Sequence, residues 1–133
     1  MPDRSDADSF RKLNRAHDAV FRPGRLSLGL VAPLDAHGPD PVPDLTRHIE
    51  RAQLADRLGF SALWLRDVPF NVPSFGDAGQ VFDPFVYLGA LAMATQDIAL
   101  GVASVVLPLR HPAHVAKAAA SADALSGGRL PLR

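Results

Sequence analysis

The sequence predicts an α/β fold in which parallel strands alternate with helices. Apolar runs that are typical of buried strands begin near Leu26, Ala62 and Ile98, at intervals of about 30–40 residues, and a helical pattern follows each one. The run Ala62–Leu65 shows no polar alternation, which is typical of a parallel strand covered on both faces. Because a crossover between parallel strands needs about a dozen residues, this spacing favours right-handed βαβ units.

The 133 residues are enough for one domain, and their composition excludes several classes of protein. Hydrophobic residues make up 47% and charged residues 21%, which is typical of a globular chain. The 14 basic and 14 acidic residues cancel, and there is no cysteine, so we expect no nucleic-acid partner and no thiolate metal site. No apolar run has the roughly 18–20 residues that a membrane span needs, and no signal peptide is evident. We therefore expect a cytoplasmic protein with no membrane partner.

Residues 1–25 are predicted to be a helical extension ahead of the main domain, residues 26–133. Apolar side chains recur at helical spacing from Ser5 to Phe21, and Pro23-Gly24 ends the pattern. The helix is either a docking arm or a frayed extension, and the sequence favours the second.

Each of the three strands is followed by a helix with recognisable ends. The start signals are polar caps, in two cases followed by proline, and the stop signals are glycines or a polar pair. These paired signals are Asp44 with Gly59, Asp83-Pro84 with Gln96-Asp97, and His111-Pro112 with Gly127-Gly128. A fourth strand should follow Gly128, but Pro131 removes a ladder donor there, so the pattern is expected to be cut off.

No self-sufficient catalytic or nucleotide-binding motif is present, so candidate residues come from the strand ends, where parallel α/β folds bind ligands. Asp67 follows the second strand directly. Its carboxylate could orient a cofactor ring or a substrate donor, pair with Arg66, or accept a hydrogen bond in a turn. Ser104 interrupts the apolar strand predicted over Ile98–Val106, next to the small Ala103. The small side chains of Ala103 and Ser104 leave room for a flat ligand. The Ser104 hydroxyl could equally donate a hydrogen bond to a neighbouring backbone carbonyl.

Three weaker features complete the candidates. The loop Arg66–Val81, which is rich in phenylalanine, proline and glycine, is either a lid over an apolar pocket or a structured surface loop. His111 and His114 lie three residues apart, but no third ligand is in register, so no metal site is predicted. Asp123 and Arg129 are expected to form a structural ion pair near the end of the third helix.

Segments from most of the chain, about Leu26 to Leu130, form a recognisable combination. They are Ala62–Pro69, Pro73–Gln80, Leu107–Pro112, Ala116–Asp123 and Leu125–Arg129. Together they resemble the bacterial luciferase-like monooxygenases, and most closely the luciferase-type oxidoreductases. The resemblance implies a (β/α)8 TIM barrel. A complete barrel needs about 250 residues, so the expected fold is a partial barrel of the first three to four βα units, with parallel strands.

The same resemblance implies a flavin-dependent monooxygenase or oxidoreductase that acts on an unknown small organic substrate with reduced flavin and oxygen. FMN is the expected cofactor and the deazaflavin F420 the alternative. The family often has a non-proline cis peptide beneath the flavin ring, which the motif match places at Ala103–Ser104, and Asp67 matches an acidic residue near the flavin. Asp67, Ala103 and Ser104 are thus the expected cofactor-binding residues. Val68 stands where light-emitting members have a histidine, so no catalytic residue is assigned.

After the segment that matches Gly127–Arg129, members of the family continue with a glycine-rich fourth strand and four more βα units. Those units carry most of the flavin phosphate contacts. We therefore expect an N-terminal fragment, and the sequence leaves open whether the chain alone is an enzyme. The alternative is a non-catalytic truncated remnant or half-barrel that binds no cofactor in isolation and only associates with itself or a partner. An open sheet edge would favour a homo-oligomer.

Overall fold

The computed structural model describes residues 14–34, 43–70 and 82–131. These residues form a three-stranded parallel sheet with the strand order β1-β2-β3. The strands are β1 (Gly29–Val31), β2 (Ala62–Leu65) and β3 (Ala99–Val102); the helices are α1 (Arg15–Val20), α2 (His48–Arg57), α3 (Pro84–Ala94) and α4 (Pro112–Ser126), and a 3-10 turn spans Leu107–Leu109. The predicted parallel α/β fold is confirmed.

One face of the sheet carries the main core. Side chains alternate between the two faces of a strand, which places Leu63 and Leu65 of β2 on the same side as Leu100 of β3. These leucines pack with Leu88 and Leu91 of α3, and all five are almost completely buried. The packing of α3 against β2 and β3 fixes the positions of the strand ends from which the candidate site is built.

The opposite face of the sheet packs against α1. Ala62 and Ala99 are buried there with Ala16, and the partly buried Val20 and Trp64 pack against them. Because Ala62 and Ala99 are the first residues of their strands, α1 covers the amino-terminal ends of the sheet.

Helix α1 is also tied to the chain beyond α4. The Ala16 N–H donates to the Gly128 carbonyl at 3.1 Å, and the Asn14 side chain donates to the Leu130 carbonyl. From residue 14 onward the segment is docked, as a docking arm would be, and is not frayed. The earlier part of the predicted helix, residues 5–13, lies outside the described residues, and the domain division at residue 25 stays a prediction.

Most helix ends follow their local signals. Asp83 caps α3 by accepting from the Phe85 and Val86 N–H groups, and Gly127 ends α4 in the left-handed conformation, with φ +66°. Asp44, however, does not cap α2. Its carboxylate accepts from the Thr46 N–H at 2.9 Å, which lowers the pKa of Asp44, and it holds a turn ahead of the helix.

The predicted ion pair between Asp123 and Arg129 is wrong. Arg129 is buried beneath the end of α3, and its five N–H groups donate to five oxygen atoms, none of them a carboxylate. The acceptors are the carbonyls of Ala92, Thr95, Ile98 and Ser126 and the hydroxyl of Thr95. Asp123 accepts instead from the Asn14 side chain and the Leu130 N–H. Arg129 therefore satisfies carbonyls that α3 cannot satisfy at its own end.

The segment after α4 lies beside β3. The Leu100 N–H donates to the Arg129 carbonyl at 2.9 Å. Arg129 and Leu130 are both buried. Within the described residues the sheet has three strands, and Arg129 and Leu130 do not form a fourth one.

Candidate functional site

Polar residues that follow β2 and β3 meet at the carboxyl edge of the sheet. The Asp67 side chain is only 1% exposed. Its Oδ2 accepts from Arg110 Nε at 2.8 Å, and its Oδ1 accepts from Arg110 Nη2 at 2.7 Å. This two-pronged geometry is the strongest form of a guanidinium–carboxylate pair. The partner of Asp67 is therefore Arg110, 43 residues away, and not the neighbouring Arg66.

The same carboxylate holds the backbone that follows β3. Asp67 Oδ2 also accepts from the Val106 N–H at 2.9 Å. Because this N–H is used by a side chain, Val106 does not continue the ladder, and β3 ends at Val102 instead of running on to Val106 as the sequence predicted. The contact fixes the short segment between these residues, which contains Ala103 and Ser104.

Arg110 is shared with a second carboxylate. Its Nη2 lies 2.9 Å from Asp83 Oδ2, while Asp83 Oδ1 caps α3. The guanidinium also lies over the Phe85 ring, 5.6 Å from its centroid, at the distance of a cation–π contact. We call Asp67, Arg110 and Asp83 the carboxyl-edge clamp, since together they join the end of β2, the start of α3 and the segment after β3.

The charges within the carboxyl-edge clamp stabilise one another. The hydrogen bonds from Arg110 lower the pKa of Asp67 below its ordinary value, although burial opposes this effect. The hydrogen bond to Asp67 likewise raises the pKa of Arg110. Near neutral pH, Asp67 is therefore a carboxylate whose two oxygens are engaged by protein donors, so it is suited to hold structure and not to donate a proton.

Ala103 and Ser104 are exposed just beyond β3. The peptide bond between them is cis, which confirms the expectation placed there. In the described part of the chain the Ser104 hydroxyl has no hydrogen-bond partner, so the alternative of a bond to a neighbouring carbonyl is not seen. Their role as cofactor ligands stays a prediction.

A cavity of about 380 Å³ opens beside Ser104. Its lining is mostly apolar and comes from β3 and the segment after it, from α3 and α4, and from the segment that follows α4. The residues that contribute are Phe85, Leu88, Val102, Ser104, Val105, Leu107, Val115, Ala119, Leu130 and Pro131. An apolar cleft with a single hydroxyl at its edge suits the binding of an organic ring system.

The predicted lid loop falls largely outside the described residues, which omit 71–81. Of its flanks, Phe70 is 65% exposed, while the Phe82 ring lies 5.1 Å from that of Tyr87 and 5.2 Å from that of His48. Tyr87 Oη lies 3.0 Å from His48 Nδ1, and burial raises the pKa of Tyr87 to about 12. This aromatic group packs Phe82 against α2 and α3.

His111 acts as a helix cap. Its Nδ1 accepts from the Ala113 N–H at 3.2 Å at the start of α4, and its ring lies 5.5 Å from that of His114. Within residues 14–34, 43–70 and 82–131, no three His, Asp or Glu side chains are grouped so that they could hold a metal ion. Over those same ranges, no helix combines the length and apolar character needed to cross a bilayer. The cytoplasmic location stays a prediction.

Comparison with known proteins identifies the family. The family model for luciferase-like monooxygenases matches residues 21–133. The chain belongs to the luciferase-like monooxygenase family. The structure of the monooxygenase RslO1 from Streptomyces bottropensis superposes with a TM-score of 0.64 at 28% identity, over 80% of this chain and 32% of that one. This likeness confirms the partial TIM barrel.

Two curated relatives give the same result. The 4-hydroxyprotoasukamycin monooxygenase of Streptomyces nodosus subsp. asukaensis is 34% identical over 109 residues, which cover 81% of this chain and 28% of that protein. The oxygenase component of the flavin-dependent trigonelline monooxygenase of Acinetobacter baylyi is 37% identical over 84 residues, 63% of this chain and 22% of that protein. The chain thus spans about a quarter of the length of these relatives.

Sequence reasoning missed Arg110 as a member of the site. The residue stands in the segment Leu107–Pro112 that carries the family resemblance, but nothing near it in sequence indicates a carboxylate partner. The position of Asp67 directly after a buried strand is itself a signal. A carboxylate buried there needs a cation to neutralise it, and Arg110 follows the next strand.

Proposed function

We propose that this chain supplies the first three βα units of a flavin-dependent monooxygenase that oxidises a small organic substrate with reduced flavin and oxygen. The observation that carries the proposal is the exposed pair Ala103 and Ser104, held at the carboxyl end of β3 by the carboxyl-edge clamp. Membership of the family and the flavin dependence of one relative support it.

The residues at this edge suit one face of a flavin ring. Ala103 and Ser104 have small side chains, so a planar ring can approach the backbone closely. The unpartnered Ser104 hydroxyl can donate to a ring heteroatom or accept from a ring N–H. FMN is the cofactor we propose, with F420 as the alternative. When bound, a reduced flavin supplies the electrons that activate oxygen.

The clamp residues act by positioning. Asp67 remains ionised and paired, so it holds the Ala103–Val106 backbone against the sheet and transfers no proton. Arg110 pairs with both Asp67 and Asp83, which leaves the three clamp residues with a net charge of −1. The described residues therefore bind and orient a ring; they include no group to which we assign a proton transfer.

The test is a titration of the 133-residue chain with FMN, followed by flavin fluorescence. We expect saturable binding at about micromolar FMN and at least a tenfold loss in Ala103→Leu, because the added side chain occupies the ring face. Ala116→Leu places the same change on the exposed surface of α4 and should bind like the wild type. A parallel titration with F420 decides between the two cofactors.

Two outcomes would overturn the proposal. One is the absence of binding of either cofactor up to about millimolar concentration, a free energy weaker than about −4 kcal/mol. That result would favour the alternative of a half-barrel that only associates. The other is an equal loss of affinity in Ala103→Leu and Ala116→Leu, which would place the ligand elsewhere.

A further inference from the structure

The cavity beside Ser104 lies on the face of the sheet that packs against α3. Val102, which lines it, also packs against the main core on that face. Around the cis peptide bond, Ser104 and Val105 line the cavity, whereas Ala103 does not. The cavity is therefore a space of its own next to the proposed ring-binding pair, and a ligand in it would share only Ser104 with a flavin.

The volume of the cavity limits the size of its ligand. At about 380 Å³ it is at the lower end of the range of ligand pockets, which extends from about 300 to 1,000 Å³. An apolar cavity of about 150 Å³ is enough to hold one benzene molecule. The cavity beside Ser104 therefore suits a compact molecule of one or two rings.

The lining of the cavity favours a ligand without charge. Among the described residues that line it, every one except Ser104 is apolar. The Ser104 hydroxyl has no partner in the described part of the chain, so it is available to a ligand as a donor or an acceptor. An ionised group would lose its hydration in such a space and gain no partner of opposite charge, which is costly.

Phe85 stands between this cavity and the charges of the carboxyl-edge clamp. Asp83 and Arg110 line a separate cavity of about 280 Å³, and Phe85 lines both cavities. The Arg110 guanidinium is already paired with Asp67 and Asp83, and the three clamp residues have a net charge of −1. The clamp therefore offers no cation that would draw an anionic ligand into the cavity beside Ser104.

We propose that the cavity beside Ser104 binds the substrate, and that this substrate is an uncharged molecule of one or two rings with a single hydrogen-bonding group that contacts the Ser104 hydroxyl. The inference deepens the proposed function and rests on it for the identity of the ligand as a substrate. Because Ala103 does not line the cavity, a flavin that covers Ala103 leaves the cavity open, and the two ligands bind side by side.

Two probes that differ in charge test the class of ligand. At neutral pH 2-naphthol is uncharged and 2-naphthoate is an anion, and calorimetry gives their affinities for the 133-residue chain without flavin. We expect the wild type to bind 2-naphthol at least about tenfold more tightly. Leu107→Lys places a cation beside the cavity at a side chain that is 56% exposed, and it should reduce this preference about fivefold. Leu125→Lys is the matched control, because Leu125 is 58% exposed and does not line the cavity, so the preference should stay unchanged.

A second pair of variants tests the position of the ligand. Ala119 of α4 lines the cavity, so Ala119→Leu fills part of it and should weaken 2-naphthol binding at least about tenfold. Ala120→Leu makes the same change at the next residue, which is exposed, and should bind like the wild type. Circular dichroism of both variants checks that they fold, and the Leu107→Lys result does not depend on either of them.

The outcomes separate this inference from the proposed function. Equal affinities of the wild type for the two probes, an equal loss in Ala119→Leu and Ala120→Leu, or no binding of 2-naphthol would overturn the inference. Competition between FMN and 2-naphthol would also overturn it, since the flavin would then occupy the cavity itself. FMN binding without 2-naphthol binding would leave the proposed function standing. If the probes bind as expected but the wild type binds no FMN, the class of ligand stands and the proposed flavin function fails.

Discussion

At the scale of single residues, Asp67 shows how one carboxylate organises the carboxyl edge. Its side chain is almost fully buried, and its donors are the Arg110 guanidinium and the Val106 N–H. A buried charge is costly unless a partner neutralises it, and removal of the partner costs more than the pair itself contributes. The stability of the edge should therefore be sensitive to Arg110.

Arg110→Met should lower the free energy of unfolding by about 3 kcal/mol, because Asp67 is left buried without its cation. Urea unfolding at neutral pH measures this change. Arg47→Met is the matched control, since Arg47 pairs with Glu50 on the surface, where both side chains are more than 60% exposed. Exposed pairs contribute at most about 1 kcal/mol. Equal losses in the two variants would contradict the role assigned to the clamp.

The difference between the wild type and Arg110→Met should depend on pH. The pKa of Asp67 is lowered in the folded protein, so its contribution to stability is complete above the ordinary value of 3.8 and is lost as the pH falls through the lowered value. The gap in unfolding free energy should therefore be constant above about pH 5 and narrow in acid. Urea unfolding in a series of buffers tests this, and a gap that stays constant down to about pH 2 would exclude Asp67 as its source.

At the scale of secondary-structure elements, Arg129 joins the end of α3 to the segment that follows α4. Its guanidinium uses every N–H donor, and two of the acceptors are carbonyls of the last turn of α3 and its cap, Ala92 and Thr95. Burial lowers the pKa of Arg129. The planar fork of an arginine is what allows one side chain to reach all of these oxygens.

Arg129→Lys should be almost as damaging as loss of the side chain, with a decrease of about 3 kcal/mol in unfolding free energy. Lysine offers three donors from a single point, so several buried carbonyls would lose their partner. Arg57→Lys, at an exposed position in the last turn of α2, is the control and should change stability by less than about 0.5 kcal/mol. Thermal or urea unfolding of both variants gives the comparison; a near-neutral Arg129→Lys would show that these hydrogen bonds are dispensable.

These elements show what could be predicted from the sequence. The bounds of β2, the Asp83 cap and the stop at Gly127 follow from residues that lie next to one another in the chain, where short-range geometry decides the outcome. Asp56 could not be predicted in the same way. Its carboxylate accepts from the N–H groups of Asp97 and Ile98, about forty residues later, and no signal near Asp56 in the sequence indicates these partners.

Some features of the candidate site could likewise be predicted from the sequence, and others could not. Asp67 and the cis bond at Ala103–Ser104 were located from motif and strand position. The Arg110 partner and the cavity beside Ser104 depend on strand order and register, which a single sequence does not specify. Chain-local signals predict the elements, and the pairing of distant segments determines the contacts of the site.

At the scale of the whole molecule, the sheet has an open edge. Within the described residues β1 pairs with β2 alone, and the flanking Leu26 and Leu28 are 82% and 59% exposed. An unpaired strand with apolar neighbours is a template for another strand. We propose that the isolated 133-residue chain associates with itself through this edge.

Sedimentation of the chain over a range of concentrations tests the association. We expect the average mass to rise with concentration, and Leu28→Lys to shift the equilibrium towards the monomer, because a charge beside the strand opposes pairing. Val86→Lys introduces the same charge on α3 at a side chain that is 73% exposed, and it should leave the mass unchanged. A chain that is monomeric at every concentration would exclude the edge as an interface.

The docking of α1 also has a consequence for the order of events during synthesis. Asn14 is bonded to Asp123 and Leu130, which are separated from it by 109 and 116 residues. On a ribosome these contacts cannot form until α4 has left the exit tunnel, although α1 is made before any of the three strands. Of the described helices, α1 is therefore made first but can complete these contacts only after α4 has emerged.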